Sequence, residues 1–567
     1  MDRRFADWYR SAFGHGLAGM VVLWAALPPL GLWPLAWIAP AWWVLLIRRS
    51  ELPGKRPYAA LWLAGFLFWL AELYWLTFPH AANSIGWLAV GAYFGFYLPV
   101  FVGLAHVAVH RLRVPVILAA PIVWTGLELA QAHLLTGMTM ASLGHTQYRW
   151  IALIQISDLA GAFGVGFVVM FVAACLARML PLNGKPKAIW PLAPVVGLLA
   201  AVLLYGHLRM AGVPPVDQRP PPVRIALIQG SIDSKLKSER SMRGRIHEHY
   251  RDLSQKAVEE YGPVDLIVWP ETMFRETFIT CEPDAEMPDI YRQQNWTRRQ
   301  FQGALEEEAE HSRAELGTMA RAFGVPMVIG VDHHHYGAEG VRMYNAAVFV
   351  DRSGNVVGHY DKMHRVVFGE YVPFGEYFPR LQRMTPLPVS IHAGERPAAF
   401  DVGGLRVSPN ICYETILSHV IRRQINTLRR EGNEPDVLAN LTNDGWFRGS
   451  SELDLHLICG VFRAVECRKP LVIAANTGFS ARIDGDGRIR ERGPRRAAGT
   501  ILAEVRPDPR GSWYLRYGDW PAGLCLAACV FFAVVGLRQR FLHQDGQVQQ
   551  GKPVQRQRDK RSRKKRC

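Results

Sequence analysis

The sequence is poor in the features that mark several common protein classes. Eight cysteines in 567 residues show no disulfide spacing, so a disulfide-stapled framework is excluded. Cys175, Cys525 and Cys529 fall in apolar runs, Cys459 and Cys467 fall in a helical stretch, and Cys459 reads as core filler. Cys281 is the best candidate for a disulfide, with no partner that the spacing names. No Cys or acidic ligand pattern accompanies the consecutive His333, His334 and His335. Three successive side chains of an extended segment cannot all reach one ion, so a solvated loop is expected and no metal site. No small-residue cleavage site follows the first apolar run, which therefore reads as a retained anchor rather than a signal peptide. No internal repeat divides the apolar half, which argues against a transporter built from repeats.

Acidic residues are also in short supply, 49 Asp and Glu against 65 Lys and Arg, for a formal net charge of +16. In a soluble chain that excess would point to nucleic acid. Here it sits in short segments between apolar runs and in the tail, and hydrophobic residues make up 49% of the chain. A membrane-spanning helix needs roughly 20 apolar residues. Candidates lie near 13–29, 30–47, 58–79, 84–109, 115–133, 158–180 and 189–208, and an eighth begins near Trp520. The first two are separated only by P-P-L-G and read as a tight hairpin.

Basic residues alternate along the connections. Arg3, Arg4 and Arg10 precede the first run, Arg48, Arg49, Lys55 and Arg56 follow the second, Arg111 and Arg113 follow the fourth, and Arg178, Lys185 and Lys187 follow the sixth. The other connections carry almost none, only Arg149 in the loop to Trp150. By the positive-inside rule both termini lie inside and residues 210–518 outside. The tail from Gln555 is polar and basic, either an anionic-lipid contact or a disordered end that fixes topology. Glu72 and Glu128 fall inside predicted spans, where a carboxylate is either functional or reaches the interface from a helix end.

From Pro222 the pattern changes. Apolar runs at 223–229, 265–270, 325–331, 345–350, 406–412, 437–442 and 471–477 read as buried strands. Helical stretches lie between them near 240–260, 303–323, 415–431 and 452–468. The expected fold is a membrane all-α bundle of about eight transmembrane helices with an extramembrane α/β sandwich. The bounds are 1–210 for the first seven helices, 222–510 for the catalytic domain, 519–538 for the last helix and 539–567 for the basic tail. Three strands end in chemistry: D-L-I-V-W-P-E delivers Glu271, G-N-V-V-G-H-Y-D-K delivers Lys362 and R-V-S-P-N-I-C-Y-E delivers Cys412. A carboxylate, an ammonium and a thiol suit nucleophilic catalysis, with the base, the oxyanion donor and the attacking sulfur supplied in turn. Taken singly, each also has a bland reading as a surface charge or an inert thiol.

The order W-P-E, Y-D-K, I-C-Y-E resembles the Glu–Lys–Cys triad of the nitrilase superfamily. F-G-E-Y-V-P-F after the lysine, L-T-N-D-G-W-F at 441–447, F-R-A-V-E at 462–466 and A-A-N-T-G-F-S at 474–480 are more specific. With the apolar runs, they resemble the apolipoprotein N-acyltransferases over about residues 13–540. The resemblance implies a nitrilase-like α-β-β-α domain on the periplasmic face of a bacterial inner membrane. It implies transfer of an acyl chain from a phospholipid to the N-terminal amine of a diacylglyceryl-cysteine lipoprotein through a Cys412 thioester. It implies no cofactor and no nucleic acid. Glu271, Lys362 and Cys412 are then catalytic. Glu370 supports the lysine, the Tyr413 N–H helps hold the oxyanion and Glu414 orients the loop, while Glu376 is a rim charge and Pro373 and Pro379 hold the loop extended. Three positions depart from the family pattern: Ser238 where tryptophan is usual, Val367 where proline is usual and Gln131 where arginine is usual. A membrane-tethered amidase acting on a small nitrogen compound, and a non-enzymatic transporter or scaffold, are the competing readings.

Overall fold

The structure, a computed structural model, describes residues 11–182, 186–215, 218, 220–373, 375, 377 and 390–550. Arg3, Arg4, Arg10, Lys185, Glu376, Pro379, the tail from Gln555 and the Ser238 side chain lie outside the described residues.

Among the described residues five helices are long and apolar enough to cross a membrane: Asn83–His110, Val116–Thr136, Ser157–Met179, Leu192–Ala211 and Trp520–Arg538. Three shorter apolar helices, Ala12–Ala26, Trp33–Ile47 and Pro57–Glu72, occupy the other expected positions. At 1.5 Å per residue, a helix of the length of Ala12–Ala26 spans only ~22 Å, less than the ~30 Å hydrocarbon core. Pro28 and Pro29 stop the first, while the third opens on Pro57 and ends at Glu72, before a separate 3-10 turn at Tyr74–Thr77. Glu72, the last residue of its helix, and Glu128 are both buried. Glu128 Oε1 accepts the Leu143 N–H at 2.8 Å, which ties the following loop to its helix.

The second half is two mixed sheets face to face. The strands are β1 (Val223–Gln229), β2 (Leu266–Val268), β3 (Thr277–Cys281), β4 (Met327–Gly337), β5 (Gly340–Val350), β6 (Val356–Asp361), β7 (Phe400–Val402), β8 (Leu405–Ile411), β9 (Val437–Thr442), β10 (Leu471–Ala475), β11 (Ala481–Ile483), β12 (Ile489–Arg492) and β13 (Gly499–Val505). One sheet runs β13-β1-β2-β4-β5-β6, with β3 also on β4, and the other runs β12-β11-β10-β9-β8-β7. The period-2 alternation of a strand sorts side chains to opposite faces. Val223, Ile225 and Leu227 of β1 meet Val437, Ala439 and Leu441 of β9 in the space between the sheets. Ala226 and Ile228 point the other way, onto the helices Arg243–Tyr261 and Arg298–Phe323. The second sheet is covered by Ser418–Arg430 and Glu452–Cys467. The result is an α-β-β-α sandwich.

The layer nearest the apolar helices positions the site. The helix Glu452–Cys467 is buried along nearly its whole length, because it lies between the sheet and the helix Ser157–Met179. Its F-R-A-V-E segment forms a buried ion pair, Arg463 Nε to Glu466 Oε2 at 2.6 Å. The remaining bonding capacity of that pair is used at both ends. Arg463 donates to the Ile416 carbonyl at 2.8 Å, beside the nucleophile turn, and Glu466 accepts the Ala162 N–H at 2.8 Å from the apolar helix. A buried pair is tolerable only when its other donors and acceptors are met in this way.

One expectation is corrected. His333, His334 and His335 lie in β4, paired on both sides, and not in a solvated loop. Their pairing follows from a long hairpin with β5, whose turn comes only at Gly337–Gly340. His333 is buried and gathers with His359 and Asp361 from β6, not with its own neighbours in sequence. Among the described residues Cys281 pairs with no other cysteine, and each of the described cysteines is a free thiol.

Candidate active site

Glu271 follows β2, Lys362 follows β6 and Cys412 follows β8, all three at strand ends. The backbone under Glu271 is packed so tightly that a Cβ on Gly330 would come within 2.2 Å of the Pro270 carbonyl oxygen. Only glycine fits there, which holds the W-P-E turn against β4. The Glu271 carboxylate is fixed on both oxygens: Asn345 Nδ2 donates to Oε1 at 2.6 Å and the Asn443 N–H donates to Oε2 at 2.9 Å.

Lys362 is buried, and its ammonium lies 2.7 Å from Glu370 Oε1 and 3.7 Å from Glu271 Oε1. Burial alone would lower its pKa, but the carboxylates of Glu370 and Glu271 outweigh burial and raise it. Lys362 is therefore a fixed cation, suited to hold an oxyanion and unsuited to act as a base. Glu370 reaches it from a tight turn in which Phe368 takes φ +59° and Glu370 Oε2 accepts the Val366 N–H at 2.8 Å. Val367, which replaces the usual proline, bridges to Tyr371 within that turn.

Cys412 opens a short 3-10 turn, Cys412–Ile416, at φ +50°. A left-handed conformation costs a non-glycine residue about 1–3 kcal/mol and persists only where surrounding contacts impose it. Glu414 imposes it. This buried carboxylate accepts the N–H groups of Ile411 at 2.7 Å, Met363 at 2.8 Å and His364 at 2.9 Å, and the Tyr360 hydroxyl at 2.8 Å. One side chain thus joins the loop of the thiol to the loop of the lysine. Burial raises the Glu414 pKa, and those N–H donors oppose the rise. The neighbouring Tyr413 donates its hydroxyl to the Gly137 carbonyl at 2.7 Å, and Thr139 bonds the Ile416 carbonyl at 2.5 Å. The loop between two apolar helices therefore braces the nucleophile turn from the side of those helices.

Burial and then the Glu271 charge push the Cys412 thiol well above its ordinary range, and Lys362 opposes them. The resting group is a protonated thiol that needs a base, and Glu271 is the carboxylate whose charge it feels most. Asn345 was not singled out in the sequence, yet its amide also lies 3.4 Å from Glu370 and so links both carboxylates around the lysine. The available signal was an asparagine at the head of the apolar run N-A-A-V-F-V, where a buried amide needs partners. Lys237 was likewise missed, although it hydrogen-bonds Thr272 next to Glu271. Gln131, in place of the usual arginine, bonds the Met138 carbonyl at 3.4 Å and takes no part in the cluster.

Residues 18–175 match the model of the apolipoprotein N-acyltransferase N-terminal domain, and residues 224–514 match the carbon-nitrogen hydrolase model. The apolipoprotein N-acyltransferase of Rhodopirellula baltica is 30% identical over 543 residues, covering 90% of this chain and 94% of that protein. The protein of the same name from Geobacter metallireducens is 32% identical over 535 residues, covering 92% and 95%. Among solved structures, an amidase from Nesterenkonia sp. aligns at 18% identity and a TM-score of 0.36, over 54% of this chain and 97% of that one. Similarity at 32% identity along 92% of the sequence, with both halves matched in order, shows that the chain belongs to the apolipoprotein N-acyltransferase family.

Proposed function

We propose that this protein transfers an acyl chain from a membrane phospholipid to the N-terminal amine of a diacylglyceryl-cysteine lipoprotein. The observation that carries the reading is a buried, fixed lysine cation flanked by two carboxylates beside a strained thiol, braced by a loop between apolar helices. A small-amide hydrolase needs no such bracing from a membrane layer.

In the first half-reaction Glu271 takes the Cys412 S–H proton. The thiolate attacks the ester carbonyl carbon of the phospholipid, and Lys362 with the Tyr413 N–H holds the oxyanion. The intermediate collapses, the C–O bond breaks, and Glu271 returns its proton to the leaving alkoxide, which departs as lysophospholipid. In the second, the neutral α-amine attacks the thioester carbon. Glu271 takes a proton from nitrogen and gives it to the departing Cys412 thiolate, leaving an amide and the original thiol. Glu370 keeps the lysine in place, and Glu414 keeps the thiol and lysine loops in register.

The apolar helices within 1–210 and 519–538 form the membrane part in this reading, with eight crossings. The domain 222–510 faces the periplasm of a bacterial inner membrane and the tail 539–567 faces the cytoplasm. The alternation of basic connections supports that orientation.

The test uses a phospholipid labelled in one acyl chain and a short peptide that carries diacylglyceryl-cysteine at its N-terminus. The expected products are an amide-linked label on the peptide amine and one lysophospholipid per amide. Release of free fatty acid with no amide would overturn the proposal.

A further inference from the structure

The strand that delivers Lys362 carries a second set of polar side chains on its other face. Strand alternation sends Tyr360 and Lys362 of β6 toward the active site, where Tyr360 bonds Glu414 and Lys362 meets Glu370. His359 and Asp361 therefore share the opposite face. Their cross-strand partners on β5 are Val348 and Ala346, which belong to the core under the covering helices. His333 of β4 reaches the same face, two residues after Val331 of that core. His333 Nδ1 lies 2.7 Å from Asp361 Oδ1, and His359 Nε2 lies 3.5 Å from Asp361 Oδ2. One donor atom from each of the three residues lies within 4.8 Å of the other two. Zinc holds such donors at about 2.1 Å, so two tetrahedral neighbours stand ~3.4 Å apart. The distances of 2.7 and 3.5 Å bracket that spacing.

The hydrogens around His333 suit a cation at Nδ1. The Thr280 hydroxyl lies 2.8 Å from His333 Nε2 and 2.9 Å from His335 Nδ1. It owns one hydrogen, so it donates to one ring and accepts from the other. When His333 Nε2 donates to it, the hydroxyl donates on to His335 Nδ1, and His335 Nε2 carries its hydrogen toward Glu282 Oε1 at 3.5 Å. Each contact along that chain then has one donor and one acceptor. What remains is a bare lone pair on His333 Nδ1 facing a carboxylate oxygen, and only a positive centre can sit between them. A proton fills that gap with two groups. A metal ion uses a third, and His359 supplies it, its ring 4.8 Å from that of His333. A ligating imidazole ordinarily donates its other N–H to a fixed partner, which is the part Thr280 plays. His333 is buried and His359 is exposed, so an ion has a way in from the His359 side.

We propose that His333, His359 and Asp361 form a binding site for a divalent ion of the zinc type, with Thr280 orienting His333. Two imidazoles and one carboxylate suit zinc, cobalt, nickel or copper better than calcium or magnesium, which take sets of oxygen ligands. Three protein ligands leave a fourth position for water. The ion clips β4 to β6 across β5. It lies on the face opposite Lys362, outside the acyl-transfer chemistry, and the site stands or falls independently of the proposed function.

The test uses the full chain in detergent, free of any oligohistidine tag and stripped with a chelator. It is titrated with Zn2+, and with Co2+ for its visible ligand-field absorption. The parent should take up one ion per chain, and its melting temperature should rise with Zn2+, because an ion that binds only the folded chain stabilises it. Thr280→Val should weaken binding by ~10- to 100-fold, the usual cost of losing the partner of a ligating histidine. His359→Ala removes an exposed ligand and should weaken binding further, by on the order of 100-fold or more, with the ligand-field absorption lost. Affinity is measured on the folded chains, so any change in metal-free melting temperature does not enter it. A parent that takes up no ion would overturn the proposal and leave His333 and Asp361 sharing a proton alone. Parental affinity in His359→Ala would overturn it by placing the ion on other residues. Parental affinity in Thr280→Val would overturn it too, since His333 would then ligate without the partner that frees its Nδ1.

Discussion

Replacing Glu414 by glutamine removes one acceptor atom and puts a donor in its place. The two carboxylate oxygens are not equivalent. Oε1 accepts the Met363 and His364 N–H groups, while Oε2 accepts the Ile411 N–H, and Tyr360 lies 2.8 Å from each. A glutamine therefore keeps its carbonyl at the Oε1 position and turns its amide onto the Ile411 N–H. Two donors then face one another in a buried site. An orphaned buried donor costs about 1–3 kcal/mol, and loss of the charge weakens the bonds that remain. Ile411 is the residue immediately before the nucleophile, so the strain falls on the φ +50° turn of Cys412. If the whole cost is felt in the transition state, acylation slows by about 5- to 150-fold, at 1.36 kcal/mol per tenfold. The lysine loop keeps both its bonds, so the Lys362–Glu370 pair should persist. Single-turnover acylation of Cys412 by phospholipid reads the rate, and thermal unfolding reads the stability. Tyr360→Phe separates the parts: alone it should cost about 1 kcal/mol, and combined with Glu414→Gln its effect should be non-additive, because the two share one carboxylate. A Glu414→Gln protein that acylates at the parental rate would refute the assignment of Glu414 as the tie between the two loops.

Two other outcomes follow from the same geometry. Lys362→Met keeps the stem and removes the cation. It should lower acylation by ~100- to 1,000-fold, as loss of one oxyanion donor does, and it should slow alkylation of Cys412 at pH 8 because the charge that opposes the thiol's upward shift is gone. Faster alkylation would contradict it. Glu434 offers a check on pH dependence away from the site: Arg429, at 2.8 Å, and Lys469, at 2.9 Å, hold its pKa at about 2 against an ordinary 4.5. A depressed carboxylate contributes stability that is present above 4.5 and lost as pH falls toward 2, so the parent should lose an increment of melting temperature in that window that Glu434→Gln lacks. Identical pH profiles would refute it.

Much of the fold was legible because its signals are local. The runs 223–229 and 437–442 occupy β1 and β9 at the bounds expected, since each is apolar on both faces and stops at a polar residue. The strand ends that carry Glu271 and Cys412 were legible for the same reason, as short apolar runs that break at a charged residue or a thiol, whereas the strand before Lys362 carries His359 and Asp361. β3 and the outer half of β4 were not. Thr277–Cys281 and the histidine run carry polar residues, and only their pairing with one another and with β5 makes them strands. The helix lengths in the apolar half also escaped the count of apolar residues: Pro28 and Pro29 follow the first helix, and the third stops at Glu72 within a run that stays apolar beyond it. Around the site, the residues that were missed act through backbone geometry that no spacing encodes. Asn345 lies 74 positions from the Glu271 carboxylate it bonds, and Asn443 contributes only its N–H. The role of F-R-A-V-E was hidden as well: it is a clamp, with Arg463 on the nucleophile turn and Glu466 on the apolar helix.

The central claim is that the acyl chain rests on Cys412 before any acceptor arrives. The direct measurement is the intact mass of the purified full chain after incubation with phospholipid alone, the thiol kept reduced and the fold checked by melting temperature. The account predicts a gain of one fatty acyl mass, mapped to the peptide that contains Cys412, removed by neutral hydroxylamine and discharged as an amide by the diacylglyceryl-cysteine peptide. An unmodified Cys412 in a folded, reduced protein, or an acyl group found on any other residue, would contradict it.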